Sequence, residues 1–355
     1  MKGSDHNCYP IQRAAKQFLL AAIVLMPVLS QTAAGDADVG SSDLMDRCTK
    51  LVFVGKSKEA LDLVDRAIAA HPKDAEPYLI KAQILRNLKK FDTELEVLNK
   101  LIALAPNCEP AYVMRARIYF FLGEARVSDE FEANYIRDME TALKLNPKSS
   151  EALDLKGVHV LAKKQYKEAI ALFTKAISNN AGIANYYEHR ATAYNSMGDR
   201  VSALKDLSQA VKVEPSSYGL WSALANQYES LGKPKEAKEC FDHVVKMKPQ
   251  GTNIRRNRAA FFVKWRYYKE AVDDLNKIIK VAPLDDDAFR LRGDACLGLG
   301  QYEQAVKDYT EAIELSPELA VNFKARAKAY RLMKKESLAR EDEAWVIKLN
   351  RKSLE

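Results

Sequence analysis

The stretch GQYEQAVKDYTEAIELSP, Gly300–Pro317, has counterparts of equal length elsewhere in the chain. It aligns without gaps on KQYKEAIALFTKAISNNA, 164–181, and on GKPKEAKECFDHVVKMKP, 232–249. Ala305, Tyr309 and Ala312 are spaced four and three residues apart, which places them on one face of a helix. The stretch therefore predicts a helix that buries a small and aromatic face and ends at a proline.

Prolines recur along the chain at a spacing of 34 residues. One series keeps this interval throughout: Pro215, Pro249, Pro283 and Pro317. Pro72 and Pro106 are separated by this interval too, whereas the gap from Pro106 to Pro147 is longer by seven. Similar units at a fixed period of this length indicate a stacked array, in which each unit packs against its neighbours.

A second apolar stripe precedes the quoted helix in each unit. In LWSALANQYESLG, 220–232, the residues Trp221, Ala225 and Tyr228 lie at helical spacing, and Gly232 is a typical helix end. Each unit is therefore predicted to be a helix–turn–helix pair that buries its small and aromatic residues against neighbouring units.

This pattern resembles the tetratricopeptide repeat family. With the proline as position 32, that family has a large residue at position 4, a small residue at 8 and an aromatic residue at 11. It also has alanine at 20 and 27 and an aromatic or large apolar residue at 24. The sixth unit of this chain supplies Trp221, Ala225, Tyr228, Ala237, Phe241 and Pro249. The eighth supplies Phe289, Gly293, Ala305, Tyr309, Ala312 and Pro317. The resemblance implies an all-α fold, an α-solenoid wound as a right-handed superhelix.

The resemblance covers nearly all of the chain after residue 40. Nine units are predicted over 41–353, at 41–74, 75–108, 109–149, 150–183, 184–217, 218–251, 252–285, 286–319 and 320–353. The third contains the seven extra residues, between Gly123 and Tyr135, where we expect a lengthened hairpin or a protruding rim. The ninth has a polar second helix, SLAREDEAWVIKLN, which is typical of a capping unit.

The N-terminal segment, 1–34, has the composition of a secretory signal peptide. Three basic residues precede the apolar run FLLAAIVLMPVLS, 18–30, and small residues follow it. Cleavage is expected after Ala34, which leaves 35–40 as a short linker, and the run is too short for a spanning helix of about 20 residues. The prediction is export to a periplasmic or secreted location, and an uncleaved signal anchor is the alternative.

The segment TNIRRNRAAFF, 252–262, combines arginines with aromatic residues, as nucleic-acid surfaces do. Its place at the start of the seventh unit favours another interpretation, because Arg255, Arg256 and Arg258 then diverge by about 100° per residue around a helix. Phe262 is expected to face the core. The net charge of +7 on 355 residues is also low for a phosphate-backbone surface. Nucleic acid is therefore not a predicted partner.

In the family that this chain resembles, the first helices line a concave groove, with positions 2, 5, 9 and 12 facing inward. Position 5 of the nine units holds, in order, Met45, Leu79, Val113, Asp154, Glu188, Ser222, Arg256, Arg290 and Lys324. This column is apolar at first, then acidic and polar, and finally basic. The basic end suits the carboxylates of an acidic peptide, because arginine pairs with carboxylates in a bidentate manner. A chance arrangement of solvated charges is the alternative.

The predicted peptide-binding residues of this groove are Asn226, Asn253, Arg256, Asn257, Arg290, Lys324, Lys328 and Arg331. One subclass of the family clamps the C-terminal carboxylates of chaperones with five residues. This chain matches that clamp at Asn226 and Asn257 and departs from it at Ser222, Asp287 and Leu291. The predicted partner is a protein or peptide, acidic or with a C-terminal carboxylate, and the chaperone clamp itself is not predicted.

Signals for catalysis are weak. Gly55–Ser57 lacks the glycine that a phosphate-binding loop needs five residues earlier, and the histidines lack zinc-ligand spacing. His159 and His189 could approach one another on neighbouring first helices, although packing or surface roles explain them as well. Four cysteines follow the signal peptide, far apart in sequence and without a CxxC pair, and are expected to be free thiols: Cys48, Cys108, Cys240 and Cys296. No enzyme activity, metal or cofactor is predicted.

Two functions follow from these observations. The first is a non-enzymatic scaffold that binds a peptide or protein through the concave groove in an exported compartment. The second is an accessory or assembly subunit of a cell-envelope complex, which binds through its convex face or through the insertion in the third unit.

Overall fold

The computed structural model describes residues 41–126 and 129–352, and the regular elements in these residues are all α-helices. The chain divides into two compact blocks, an N-terminal block that ends at Val213 and a C-terminal block that begins at Glu214. The all-α solenoid predicted from the repeat is confirmed, because helix pairs follow one another through the described part of each block.

The N-terminal block contains α1 Ser41–Phe53, α2 Ser57–Ala70, α3 Ala75–Asn87, α4 Phe91–Leu104, α5 Glu109–Arg126, α6 Asp129–Leu145, α7 Ser150–Ala162, α8 Tyr166–Asn179, α9 Ala184–Ser196 and α10 Arg200–Val213. The C-terminal block contains α11 Tyr218–Ser230, α12 Pro234–Met247, α13 Thr252–Lys264, α14 Tyr268–Val281, α15 Asp286–Gly298, α16 Tyr302–Leu315, α17 Ala320–Leu332 and α18 Glu336–Lys352. An odd-numbered helix is thus the first helix of its repeat and an even-numbered helix is the second.

The apolar stripes of the sequence form the core. In α16, the side chains at positions 20, 24 and 27 of the eighth repeat, Ala305, Tyr309 and Ala312, are fully buried. The equivalent stripe of α8 has the same burial. Small residues at two of these positions let adjacent helices approach closely, while the aromatic ring between them fills the space across the hairpin.

The turn between the two helices of a repeat has one left-handed residue at position 15. Glycine occupies this position in four repeats, at Gly55, Gly198, Gly232 and Gly300, with φ between +68° and +85°. Lysine or arginine occupies it in four others, at Lys89, Lys164, Arg266 and Lys334, with φ between +57° and +63°. This conformation ends the first helix and reverses the chain, and it is accessible to glycine without steric cost.

Within each block, every helix packs against the next helix in the chain. First helices of successive repeats also contact one another, in the pairs α1–α3, α5–α7, α7–α9, α13–α15 and α15–α17. In these pairs the first helices lie side by side, and positions 2, 5, 9 and 12, spaced three or four apart, lie on the same side of each first helix. We call this side the first-helix face of each block.

Five repeats share an arginine that joins the two helices of its own repeat to the preceding repeat. The arginine is at position 7 and donates two hydrogen bonds, of 2.7–3.0 Å, to an aspartate at position 23. Its third nitrogen donates to a polar residue at position 25 of the repeat before. The five pairs are Arg115–Asp138, Arg190–Asp206, Arg258–Asp274, Arg292–Asp308 and Arg326–Asp342.

The insertion in the third repeat lengthens both helices. α5 has 18 residues and α6 has 17, compared with 13 and 14 in the helices of the neighbouring fourth repeat. At about 1.5 Å per residue, these additions extend the hairpin by roughly 7 Å on one side and roughly 4 Å on the other. The two residues between the helices, 127–128, are outside the described residues.

The predicted signal peptide, 1–34, and linker, 35–40, also lie outside the described residues. In 41–126 and 129–352, no helix is long and apolar enough to cross a membrane. The exposed surface of α18, the expected polar cap, is mostly charged, but Trp345 and Ile347 are about half exposed there.

Candidate functional site

The candidate site is the first-helix face of the C-terminal block. Its predicted residues lie on four first helices: Asn226 on α11, Asn253, Arg256 and Asn257 on α13, Arg290 on α15, and Lys324, Lys328 and Arg331 on α17. The three asparagines, the two lysines and Arg331 are exposed, and Arg256 and Arg290 are half-buried. We call the five cations the basic row. Because α15 contacts both α13 and α17, the residues of the basic row lie on helices that are neighbours in the fold.

Arg256 has partners within the protein. Its guanidinium donates to Asn253 Oδ1 at 3.0 Å and to Oδ2 of Asp285. The other oxygen of Asp285 accepts from the backbone N–H of Ala288 at 3.0 Å and so caps the N-terminus of α15. Arg256 Nε is buried without an acceptor among the described residues. Arg256 is therefore fixed in place by a helix cap, with one N–H left to satisfy.

Arg290 lies between two aspartates. Its guanidinium is 2.9 Å from Asp287 and 3.4 Å from Asp294. The hydroxyl of Tyr309 donates to Asp294 at 2.7 Å from the core side. Burial raises the pKa of Asp294, while the Tyr309 hydrogen bond and the charges of Arg290 and Lys328 oppose that rise. An acidic group thus sits within the basic row, close to Arg290 and Lys328.

The cations of α17 are less engaged. Arg331 pairs with Glu343 of α18 at 2.5 Å, and it is 51% exposed. Lys324 and Lys328 are exposed and form no ion pair with another residue of 214–352. The face is therefore less basic than its position-5 column indicates, because three of the five cations already contact carboxylates. The two lysines are the cations that a ligand can reach without displacing an internal partner.

The other two arginines of 252–262 have structural partners, as their divergence around the helix predicts. Arg255 donates to the carbonyl of Pro249 and to Asp274, and Arg258 donates to Asp274 and to Asp242. Asp274 is 1% exposed. These two arginines bind α13 to its neighbours and are not available to a nucleic acid or a peptide.

The first-helix face of the N-terminal block differs from its expected character. At position 5, Leu79, Val113, Asp154 and Glu188 are all buried, so these side chains support the face more than they line it. Asp154 accepts a 2.7 Å hydrogen bond from Nδ1 of His189. The His159 ring packs on Tyr135.

Sequence reasoning did not identify a buried ion pair in the second repeat. Glu94 stands at position 20, where seven of the nine repeats have alanine, and it is 0% exposed. Oε1 of Glu94 accepts from Nε and Nη2 of Arg86, at 2.9 and 2.7 Å. Burial raises the pKa of Glu94, and the nearby Arg86 and Arg117 lower it. The departure from alanine at position 20 was the available sequence signal.

Arg117 continues this arrangement toward the fourth repeat. Its Nη2 is 3.3 Å from Oε2 of Glu151, and both side chains are about one-third exposed. Arg86, Arg117 and Glu151 belong to α3, α5 and α7, three successive first helices. Opposite charges therefore alternate across this face, in contrast to the basic row of the C-terminal block.

The four cysteines are free, and three of them are buried. Burial raises the pKa of Cys240 and of Cys296 to about 11, which makes these thiols poor nucleophiles. Within the described residues, no group of histidine, cysteine, aspartate and glutamate has the arrangement of a metal site.

The fold and its side-chain faces define a helical-hairpin repeat protein. Family models described as tetratricopeptide repeat match residues 50–107, 136–183, 218–250 and 287–319. The chain belongs to the tetratricopeptide repeat family.

Curated relatives are similar over parts of their length. The Hsp70-Hsp90 organizing protein of Triticum aestivum is 24% identical over 192 residues, which are 51% of this chain and 30% of that protein. The heat-shock protein cognate co-chaperone sgt12 of Aspergillus fumigatus is 35% identical over 75 residues, 21% of this chain and 22% of that protein. The chain thus spans less than a third of the length of these relatives.

Solved structures share parts of the arrangement. MamA from Desulfovibrio magneticus RS-1 is 24% identical, with a TM-score of 0.44 over 48% of this chain and 96% of that one. The APC/C hetero-tetramer Cut9-Hcn1 is 16% identical, with a TM-score of 0.47 over 83% of this chain and 56% of that one.

Proposed function

We propose that the protein is a non-enzymatic scaffold that binds an acidic segment or a C-terminal carboxylate of a protein partner in an exported compartment. The binding surface is the first-helix face of the C-terminal block, which acts as the concave groove of the family. The basic row is the observation that carries this proposal, since five cations on three consecutive first helices share one surface.

The cations contribute unequally to binding. Lys324 and Lys328 are exposed, so a ligand carboxylate reaches them at low desolvation cost. Arg256 and Arg290 must exchange an internal aspartate for a ligand carboxylate, which lowers the net gain from each. Asn226, Asn253 and Asn257 can donate to and accept from the backbone of an extended peptide. The expected affinity is therefore modest and sensitive to salt.

The names of the similar proteins support a protein partner. The wheat relative is named for organizing Hsp70 and Hsp90, and the Aspergillus relative is named a co-chaperone. A chaperone tail is not assumed for this chain, because Ser222, Asp287 and Leu291 occupy three of the five clamp positions.

Peptide binding tests the groove directly. Fluorescence anisotropy with a labelled glutamate-rich peptide that ends in a free carboxylate should give saturable binding. Arg256→Glu/Arg290→Glu should weaken it about tenfold or more, because two attractive charges become repulsive. The matched control is Lys277→Glu/Lys307→Glu, which makes the same change of net charge at exposed positions of second helices. Equal losses in both variants would show that net charge, rather than the groove, attracts the peptide.

Recovery of partners from the exported compartment separates this function from the alternative. An accessory subunit that binds through its convex face or through the long hairpin of α5 and α6 would recover the same partners with Arg256→Glu/Arg290→Glu. The lengthened hairpin favours this alternative. Deletion of seven residues between Gly123 and Tyr135 gives the third repeat the length of the others, and it should abolish recovery if the hairpin is the binding element.

Export is proposed from the sequence of 1–34. Residues 1–40 fused to a reporter that is active only after translocation should give activity. Replacement of two apolar residues in 18–30 by arginine should abolish it, because the apolar run is what a signal peptide requires. A reporter that stays inactive with the native segment would contradict export.

A further inference from the structure

The first-helix side of repeats 2 and 3 contains buried acceptors without donors. Four side-chain oxygens there are buried and accept no hydrogen bond from any described residue: Glu76 Oε1, Gln83 Oε1, Glu94 Oε2 and Glu109 Oε1. In residues 214–352, the buried side-chain atoms without a hydrogen-bond partner are Arg256 Nε and Asn322 Oδ1. Buried polar atoms normally have partners, and leaving one unpaired costs about 1–3 kcal/mol. The unpaired groups of repeats 2 and 3 are thus all acceptors.

The charges of this region also favour a donor. At positions 1, 2, 9 and 12 of repeats 2 to 4, the carboxylates are Glu76, Glu109 and Glu151 and the cations are Arg86 and Arg117. The buried Glu94 adds a fourth carboxylate, while Asp154 at position 5 is already paired with His189. Arg86 already donates twice to Glu94, and Arg117 pairs with Glu151. Carboxylates therefore outnumber cations two to one here, although the whole chain has a net charge of +7. A preference for cations at this face opposes the overall charge and has a local origin.

Stable packing at position 20 does not require the buried carboxylate of Glu94. Seven repeats have alanine at position 20 and pack without a charge. Burying a carboxylate is unfavourable unless it is fully paired, and Glu94 has one oxygen paired and one unpaired. Glu94 is fully buried and pairs with Arg86. Because its charge is neutralised in this way, the Arg86 guanidinium attracts anions less strongly.

We infer that the first-helix face of repeats 2 to 4 is a second binding surface, for an extended peptide segment with lysine or arginine side chains. Backbone N–H groups of such a segment donate to Gln83, and its cationic side chains pair with Glu76 and Glu151. Glu76 and Gln83 are seven residues apart on α3, about 10 Å along the helix axis. Three residues of an extended peptide span that distance. This inference does not depend on the proposed function of the basic row, since the two surfaces share no residue.

Two labelled peptides test the inference with the purified protein: an eight-residue peptide of alternating glycine and lysine, and its glutamate counterpart. Glu76→Gln/Glu151→Gln removes two charges with little change of shape and should weaken the lysine peptide about fivefold or more. The matched control is Glu96→Gln/Glu168→Gln, at exposed positions of the second helices α4 and α8. This control should change the affinity by less than twofold.

A third variant addresses the buried carboxylate. Glu94→Ala introduces the alanine of the other repeats and frees Arg86, so the lysine peptide should bind more weakly and the glutamate peptide more tightly. Circular dichroism melting of each variant shows whether it is folded at the temperature of the binding assay.

Three outcomes would overturn the inference: no binding of the lysine peptide to the wild-type protein, unchanged binding by Glu76→Gln/Glu151→Gln, or an equal loss in the control. The proposed function fails separately, if Arg256→Glu/Arg290→Glu leaves the binding of the glutamate peptide unchanged. Those arginine substitutions should leave the affinity for the lysine peptide within twofold of wild type.

Discussion

Single residues at position 8 decide how closely the two helices of a repeat can approach. A Cβ atom at Gly293 would lie 2.6 Å from the ring of Tyr309, and one at Gly157 would lie 2.5 Å from the ring of Phe173. Real Cβ atoms do not come so close to a ring. These glycines are therefore required by packing, and not by their backbone conformation.

Gly293→Ala should destabilise the protein by about 1–3 kcal/mol, because the added methyl group overpacks a core that contains the Tyr309 ring. This loss should exceed the gain of about 0.5–1 kcal/mol that alanine normally brings to a helix interior. Urea denaturation followed by circular dichroism measures the difference. Gly219→Ala is the control, because its Cβ would meet its nearest neighbour, Ser217, at an ordinary 3.8 Å, and it should be neutral or stabilising.

His189 gives the N-terminal block a dependence on pH. Burial alone would lower the pKa of His189, but the charge of Asp154 and the hydrogen bond to it raise that pKa above 6.5 overall. A raised folded-state pKa contributes stability below the unfolded pKa of about 6.5, and this contribution is lost as pH rises through the folded value.

The Asp154–His189 pair should therefore contribute more to the melting temperature at pH 6 than at pH 9. His189→Gln should remove this contribution, since glutamine does not titrate. Melting curves across this range, for the wild type and the variant, measure the contribution. A variant whose pH profile matches the wild type would show that the Asp154–His189 pair does not contribute.

At the scale of the element, the interhelix turn fixes where each first helix ends. Position 15 has positive φ in eight repeats, yet only four of them have glycine there. A residue with a Cβ atom costs roughly 1–2 kcal/mol in the left-handed region. The lysines and arginine at this position thus carry strain that the rest of the hairpin offsets.

Lys89→Gly and Arg266→Gly should each stabilise the protein, by up to about 1 kcal/mol, because glycine adopts φ values near +57° and +63° without a clash. The gain is reduced by the greater freedom of glycine in the unfolded chain. The reverse change, Gly198→Ala, should destabilise by a similar amount, since φ is +85° there. Chemical denaturation of the three variants provides the comparison, and stabilisation by Gly198→Ala would contradict this account.

At the scale of the whole molecule, the recurring arginine–aspartate pairs couple successive repeats. Asp274 accepts from Arg255 and from Arg258, and Arg258 also donates to Asp242 of the preceding repeat. Asp274 is buried, so its replacement leaves two guanidinium groups without their carboxylate.

Asp274→Asn should therefore destabilise the protein by about 3 kcal/mol or more, and hydrogen exchange should show the lost protection in α12, α13 and α14. Asp273→Asn is the matched control, because the adjacent aspartate is exposed and its replacement should change stability by less than about 0.5 kcal/mol. Similar effects of the two substitutions would show that the pairs are surface contacts of little energetic weight.

The charged residues of the candidate site show how much of it the sequence could predict. The repeat period predicted a pair of helices for each repeat, the buried stripes and the divergence of Arg255, Arg256 and Arg258. It placed Arg256 and Arg290 on one face, but it did not show that Asp285, Asp287 and Asp294 contact them. It also did not predict the Glu94–Arg86 pair or the burial of Asp154.

The tandem array of helical hairpins could be predicted from the sequence alone, because helix periodicity and turn residues are local properties that repeat along the chain. Which charged side chains are free could be seen only in the folded protein. The partner of a side chain lies on the other helix of its hairpin or on a neighbouring repeat, and that pairing depends on how the helices pack. The lysines of α17 are thus accessible to a ligand, whereas Arg258, in the arginine-containing segment 252–262, holds the repeats together.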